Sequence, residues 1–232
     1  MRRAVILGAV PQELAAFARR IDRGRWRGVE VHLGLTGIGK PAAAAATQRL
    51  IDAHHPDAIV FTGVAGALDP ALRVGDIGIG VAAIDAELDL RSLRPGSRLG
   101  EDPFAGRRLL RSDRDLAAAA LAAGVPRLFP AYIASGSVFL DGPAKHRFRA
   151  EVLPQLAAEL DGAVRQPDLI EMEGSAVLQT AEASAVPALA IRAVSDALDG
   201  DAAGDFEAFI AASVEVYAAV VEAVLDRVAS RA

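Results

Sequence analysis

The chain has 232 residues, 52% of them hydrophobic and 5% aromatic, a formal net charge of −5 and no cysteine. Scattered Lys and Arg in a net acidic chain argue against nucleic acid or an anionic membrane surface as partner. The missing cysteines exclude disulfide staples, thiolate metal sites and thiol nucleophiles, and fit a reducing cytoplasm. The length suits one α/β domain over residues 1–232 with a full hydrophobic core.

Ala4 to Val10 follows Met1-Arg2-Arg3 like the start of a signal peptide, but Pro11, Gln12 and Glu13 interrupt it at once. It reads instead as a buried first strand, with Pro11 opening the helix that follows. Glu13 then falls near that helix N-terminus, where a carboxylate either complements the dipole or serves as a base over a pocket. Val29 to Leu35 reads as a second strand, and Thr36-Gly37-Ile38-Gly39-Lys40 as a turn into a helix over Pro41 to Ala53. That turn lacks the glycine spacing and the Ser or Thr of a phosphate-binding P-loop. His54 and His55 close the helix, a favourable place for cations rather than a metal site.

Ala58 to Phe61 is expected as a third strand and Thr62-Gly63-Val64-Ala65-Gly66 as a turn, small enough for a planar group to lie on its backbone. A fourth strand runs to Val81. Asp85 to Gly106 reads as a long loop whose Asp85, Glu87 and Asp89 form a solvated acidic stretch. Asp113 caps a helix to Ala123, and a strand over Ala131 to Ser135 leads into Gly136-Ser137-Val138-Phe139-Leu140. Phe139 there suits either the core or stacking on a base. Pro143 to Leu160 reads as helical with a break near Pro154, its Lys145, His146, Arg147 and Arg149 forming a surface group. Phe206, Phe209, Ile210, Val214, Tyr217, Val221, Leu225 and Val228 form a core stripe on a last helix.

Two runs organise the chain: Ile170-Glu171-Met172-Glu173-Gly174, and Pro187 to Ser195-Asp196. With the helix-compatible Gly174 to Ala185 between them they read as strand, helix, strand, a connection long enough for a parallel crossover. Glu171, Glu173 and Asp196 are then expected at the same end of two parallel strands, where open α/β sheets bind ligands. Asp196 fits that role or a helix cap equally, and Asp205 a cap. Ala197 to Gly204 is expected as a loop over the pocket.

In order, Gly8-Ala-Val-Pro-Gln-Glu13, Thr36-Gly-Ile-Gly-Lys40, Thr62-Gly-Val-Ala-Gly66, Val74-Gly-Asp76, Ser135-Gly-Ser-Val-Phe139, Glu171-Met-Glu173 and Arg192-Ala-Val-Ser-Asp196 resemble the methylthioadenosine/S-adenosylhomocysteine nucleosidases of the nucleoside phosphorylase superfamily. The resemblance spans nearly the whole chain. It implies an α/β, three-layer fold with a central mixed sheet surrounded by helices, a homodimer, a small nucleoside as substrate, and neither metal nor organic cofactor.

The resemblance also implies roles. Glu13 becomes the base that orients water, and Asp196 the acid serving the purine leaving group. Met172 and Glu173 become the ribose clamp, Phe139 the ring packed on the base with Leu140 beside it offering backbone contacts, and Glu171, Val64 and Ser195 further substrate-binding candidates. Val10 and Phe206 line the pocket for the 5′ substituent. Two departures stand out: Val64 where many relatives carry Ser, and Ser137 where they often carry Asp in a Ser-Gly-Asp pattern. The expected activity is hydrolysis of 5′-substituted adenosines. Alternatives are a hydrolase of aminodeoxyfutalosine, futalosine or another purine nucleoside, and a non-catalytic nucleoside-binding protein.

Overall fold

The computed structural model describes residues 1–197 and 206–230, and of 206–214 the backbone alone. In chain order the elements are β1 (Arg3–Gly8), α1 (Ala15–Arg20), β2 (Arg25–Trp26), β3 (Val29–Leu35), α2 (Lys40–His54), β4 (Ala58–Ala67), β5 (Ile77–Asp85) and β6 (Leu110–Arg111). There follow α3 (Arg114–Leu121), β7 (Leu128–Ser135), α4 (Gly142–Glu151), β8 (Ala158–Leu160), β9 (Ala163–Arg165), β10 (Leu169–Glu171), α5 (Gly174–Ala183), β11 (Ala188–Asp196) and α6 (Phe206–Ser230). Short 3₁₀ turns cover Pro11–Leu14 and Leu153–Leu156.

The apolar run of β1 divides by the two-residue period of a strand. Ala4 and Ile6 enter one core, with Phe17 of α1, Leu116 of α3 and Tyr217, Val221 and Val224 of α6. Val5 and Leu7 enter the other, with Ala43 and Ile51 of α2 and Val177 and Leu178 of α5. Both faces of the sheet are covered, which is why its central strands read as continuous hydrophobic runs. This is the three-layer arrangement with a mixed central sheet. Tyr217, Val221, Leu225 and Val228 of the expected stripe are buried; the side chains of Phe206, Phe209, Ile210 and Val214 lie outside the described residues. No described helix is long and apolar enough to cross a membrane.

The strand order is β10-β7-β5-β11-β4-β1-β3-β2, and β10 also pairs with β4. That extra pairing closes β10, β7, β5, β11 and β4 into a ring. It corrects one expectation: β11 runs parallel to β4 while β10 runs antiparallel to it, so β10-α5-β11 is not a parallel crossover. The carboxylates still converge, because β10 and β11 flank the same end of β4, where Gly66 is opposite both Ile170 and Asp196.

Other expectations are corrected too. Thr62 to Gly66 is not a turn but the continuation of β4, paired along β11. Residues 158–160 form a strand with β9 rather than the end of a helix. Asp85 and Glu87 are not simply solvated, since both hold the Lys40 ammonium, at 2.6 and 2.9 Å. Asp205 and most of the Ala197 to Gly204 loop lie outside the described residues.

Candidate active site

A cavity of about 330 Å³ opens at this end of β4, within the range of small-molecule sites. Its walls include Val10 and Glu13, Val64 on β4, Phe139 and Leu140 after β7, Glu171 ending β10, Met172 and Glu173 leading into α5, and Ser195 and Asp196 ending β11. The structure thus brings the sequence-identified residues together, apart from Phe206, whose side chain lies outside the described residues.

Glu13 sits on the 3₁₀ turn that Pro11 initiates and is buried. Its Oε2 accepts the Ala9 amide at 2.6 Å and the Val10 amide at 3.3 Å. Burial raises its carboxyl above the usual range, against the opposing pull of Arg192 and the backbone amides of Ala9, Val10 and Val64. A base needs such a shift toward the working pH. A Cβ on Gly63 would stand 2.7 Å from Glu13 Oε1, so glycine here lets the carboxylate hold this position.

Glu171 is a second buried carboxylate, and its acceptors are taken. It receives Arg192 Nη2 at 2.7 Å, the Ser135 hydroxyl at 2.5 Å and the Gly174 amide at 2.7 Å, at the N-terminus of α5. A Cβ at Gly174 would come within 3.0 Å of it. Arg192, 1% exposed, also donates to the Phe61 carbonyl at 3.1 Å and lies 3.9 Å over the Phe61 ring. It is a buried cation behind the cavity wall.

Glu173 receives the Gly39 amide at 2.7 Å. Burial, then repulsion from Glu171, raises the Glu173 carboxyl to about 7, with Gly39 and Arg192 opposing. The folded state therefore holds a proton there that the unfolded chain, at the ordinary 4.5, releases earlier. Stability falls as pH rises through that window, by up to about 3 kcal/mol. Glu173→Gln is neutral throughout, so melts between pH 5 and 8 should show a shallower decline in the variant than in the wild type. Parallel curves would contradict this assignment.

Asp196 ends β11 with Ser195 Oγ 2.6 Å from its Oδ1. Lys145 of α4 bonds its Oδ2, and the same ammonium donates to the Ala197 carbonyl at 3.0 Å. Lys145 is 0% exposed, which corrects the surface reading of its segment; His146 and Arg147 beside it are exposed. Composition held a signal for it. Of 25 basic residues 23 are Arg, and the two lysines, Lys40 and Lys145, are both bonded to carboxylates, Lys145 to one that lines this cavity.

The departure at Ser137 has a local counterpart. Glu87 accepts the Ser137 amide at 2.7 Å and its hydroxyl at 2.5 Å, so a carboxylate from the loop after β5 ties down the segment that carries Phe139. Among the described residues no cluster of His, Cys, Asp and Glu could hold a metal ion.

The family model of the phosphorylase superfamily matches residues 3–228. The 5′-methylthioadenosine/S-adenosylhomocysteine nucleosidase of Geobacillus thermodenitrificans is 32% identical, the match covering 99% of each chain. The chain belongs to this nucleosidase family of the phosphorylase superfamily. The Staphylococcus saprophyticus nucleosidase is 34% identical over 88% of this chain and 91% of its own. Among solved structures, the Colwellia psychrerythraea nucleosidase in complex with adenine superposes with a TM-score of 0.84 at 26% identity, covering 98% of this chain and 96% of that one. The Neisseria meningitidis nucleosidase in complex with methylthio-immucillin-A gives 0.82 at 25% identity, covering 97% and 99%. Within the nucleosidase frame, Arg192 balances the site acids as its place in the Arg192 to Asp196 run suggests, with its guanidinium on Glu171, while Lys145, Gly63 and Glu87 also place the expected carboxylates and aromatic segment and none of these three was assigned such a part from the sequence.

Proposed function

We propose that this nucleosidase hydrolyses the N-glycosidic bond of 5′-substituted adenosines, methylthioadenosine and S-adenosylhomocysteine, to adenine and the corresponding thioribose. The observation that carries the reading is one cavity lined by Glu13, Glu173 and Asp196 together with Met172 and the Phe139 ring. Glu13 and Asp196 face Gly63 and Gly66 of β4, three residues apart, so their backbone anchors are separated by about 10 Å along the strand. A sugar with its base attachment fits between.

Cleavage develops positive charge on the ribose and negative charge on the purine. Glu13 takes a proton from water as it attacks the anomeric carbon. Glu173 in its ionised form accepts hydrogen bonds from the ribose hydroxyls and places charge beside the cation-like sugar, an effect larger in the transition state than in the ground state. Asp196 serves the departing ring nitrogen, Phe139 and Leu140 pack on the base, and Val10 borders the 5′ substituent. Val64, apolar where many relatives carry Ser, adds to the apolar wall.

Water is the nucleophile in this reading. Among the described residues lining the cavity, four are acidic and none is Lys or Arg, which repels phosphate. The exposed apolar side chains Ile38, Val138 and Phe139 at the cavity support a homodimer that covers this edge. The test is product analysis with methylthioadenosine, S-adenosylhomocysteine, adenosine, inosine and futalosine, each with and without phosphate. Adenine released from the thio-substituted nucleosides without phosphate is expected. A strict phosphate requirement, or cleavage of futalosine alone, would overturn the proposal.

A further inference from the structure

The chain uses arginine for nearly all its cations, yet a fully buried lysine stands behind the acid at the base end of the cavity. Arginine cannot be deprotonated in a protein, whereas lysine can give up a proton and take it back. Lys145 reaches Asp196 Oδ2 from α4 and spends a second N–H on the Ala197 carbonyl. Asp196 lines the cavity and Lys145 does not, so the carboxylate stands between the ammonium and any ligand. Ser195 Oγ fixes the other carboxylate oxygen, and Gly66 leaves room for both: a Cβ there would stand 3.2 Å from Oδ2. Such packing holds one orientation of the carboxylate with a proton-bearing group at its back.

We propose that Lys145 is a positioning residue that supplies, through Asp196, the proton received by the leaving purine; this rests on the nucleosidase reading above. In the step, an N–H bond of the ammonium breaks as an O–H bond forms on Asp196. That proton passes to a ring nitrogen of the purine as the glycosidic C–N bond breaks and its electron pair goes to the base. Lys145 is left as a neutral amine beside an ionised Asp196 and regains a proton from water before the next turnover. The proton lost by the attacking water goes to Glu13 and then to solvent, so the overall reaction consumes one water.

The test uses the full chain with methylthioadenosine and compares wild type, Lys145→Met, Lys145→Gln, Asp196→Asn and the double variant Lys145→Met/Asp196→Asn. Methionine keeps the length and apolar stem, and glutamine keeps N–H donors while carrying no transferable proton. The expected result is a loss of about 10²-fold or more in kcat for each Lys145 variant, with KM within about threefold of wild type. Groups acting in one proton path are not additive, so the double variant should be no slower than Asp196→Asn alone. Should Lys145→Met fail to fold, Lys145→Gln carries the same comparison. Wild-type kcat in either folded variant would overturn the proposal. So would losses in Lys145→Met and Asp196→Asn that multiply in the double variant, or a fall in kcat matched by a rise in KM and a lower Tm, which would make Lys145 a structural prop. Failure of the wild type to release adenine would count against the nucleosidase reading instead.

Discussion

Glu13→Gln should lower kcat for adenine release from methylthioadenosine by about 10²–10⁴-fold, the usual contribution of a positioned base, with KM changed little. Glutamine can still accept the Ala9 and Val10 amides through its side-chain oxygen, so the turn after β1 should keep its geometry. What disappears is the ability to take a proton from water. Tm should stay level or rise, because burial already disfavours the charged form of this carboxyl and the amide removes that cost. Steady-state kinetics and a thermal melt on the same preparation check both halves. A variant with kcat within about threefold of wild type would remove Glu13 from the chemistry.

Arg192→Met is the substitution expected to damage stability most. Arg192 is the buried counter-charge to Glu171 and pulls against the raised carboxyls of Glu13 and Glu173. Breaking a buried pair from one side leaves an uncompensated charge and costs about 3–5 kcal/mol. For a chain of this size that corresponds to a Tm lower by roughly 10 °C. Activity should fall as well, since Glu171 ties Ser135, the start of α5 and Arg192 together. Adding Glu171→Gln should restore part of the lost Tm by removing the stranded charge. A change below about 1 kcal/mol in the single variant would mean that solvent reaches the cluster and the pair carries little.

Much of the fold could be read from the chain because burial on both faces writes a local signal. β1 and β3 run where the hydrophobic pattern places them, and Asp113 accepts the Leu116 amide as a cap should. Strand direction leaves no such local trace. The closure that turns β10 against β4 depends on a pairing between residues about a hundred positions apart, and strand-helix-strand patterning is the same for either sense. Gly63 and Gly66 read as turn residues because glycine usually marks turns. Here they are strand positions kept bare so that Glu13 and Asp196 can approach.

Lys145 illustrates the opposite difficulty. On a helix with His146, Arg147 and Arg149 it reads as one more solvated charge, since a helical pattern reports which residues share a face and not what lies across from them. Its role depends on Asp196, 51 positions away. The candidate carboxylates were easier to see, being acids delivered to strand ends by apolar runs, where a core has no use for them.

The Glu87 to Ser137 contact bears on how relatives of this chain should be recognised. The carboxylate that secures the aromatic segment comes from fifty positions upstream, so an acid stands beside Ser137 in space although the contiguous three-letter string lacks one. A search keyed to that string would discard such chains, and one that asks for an acid within reach of the same amide would keep them.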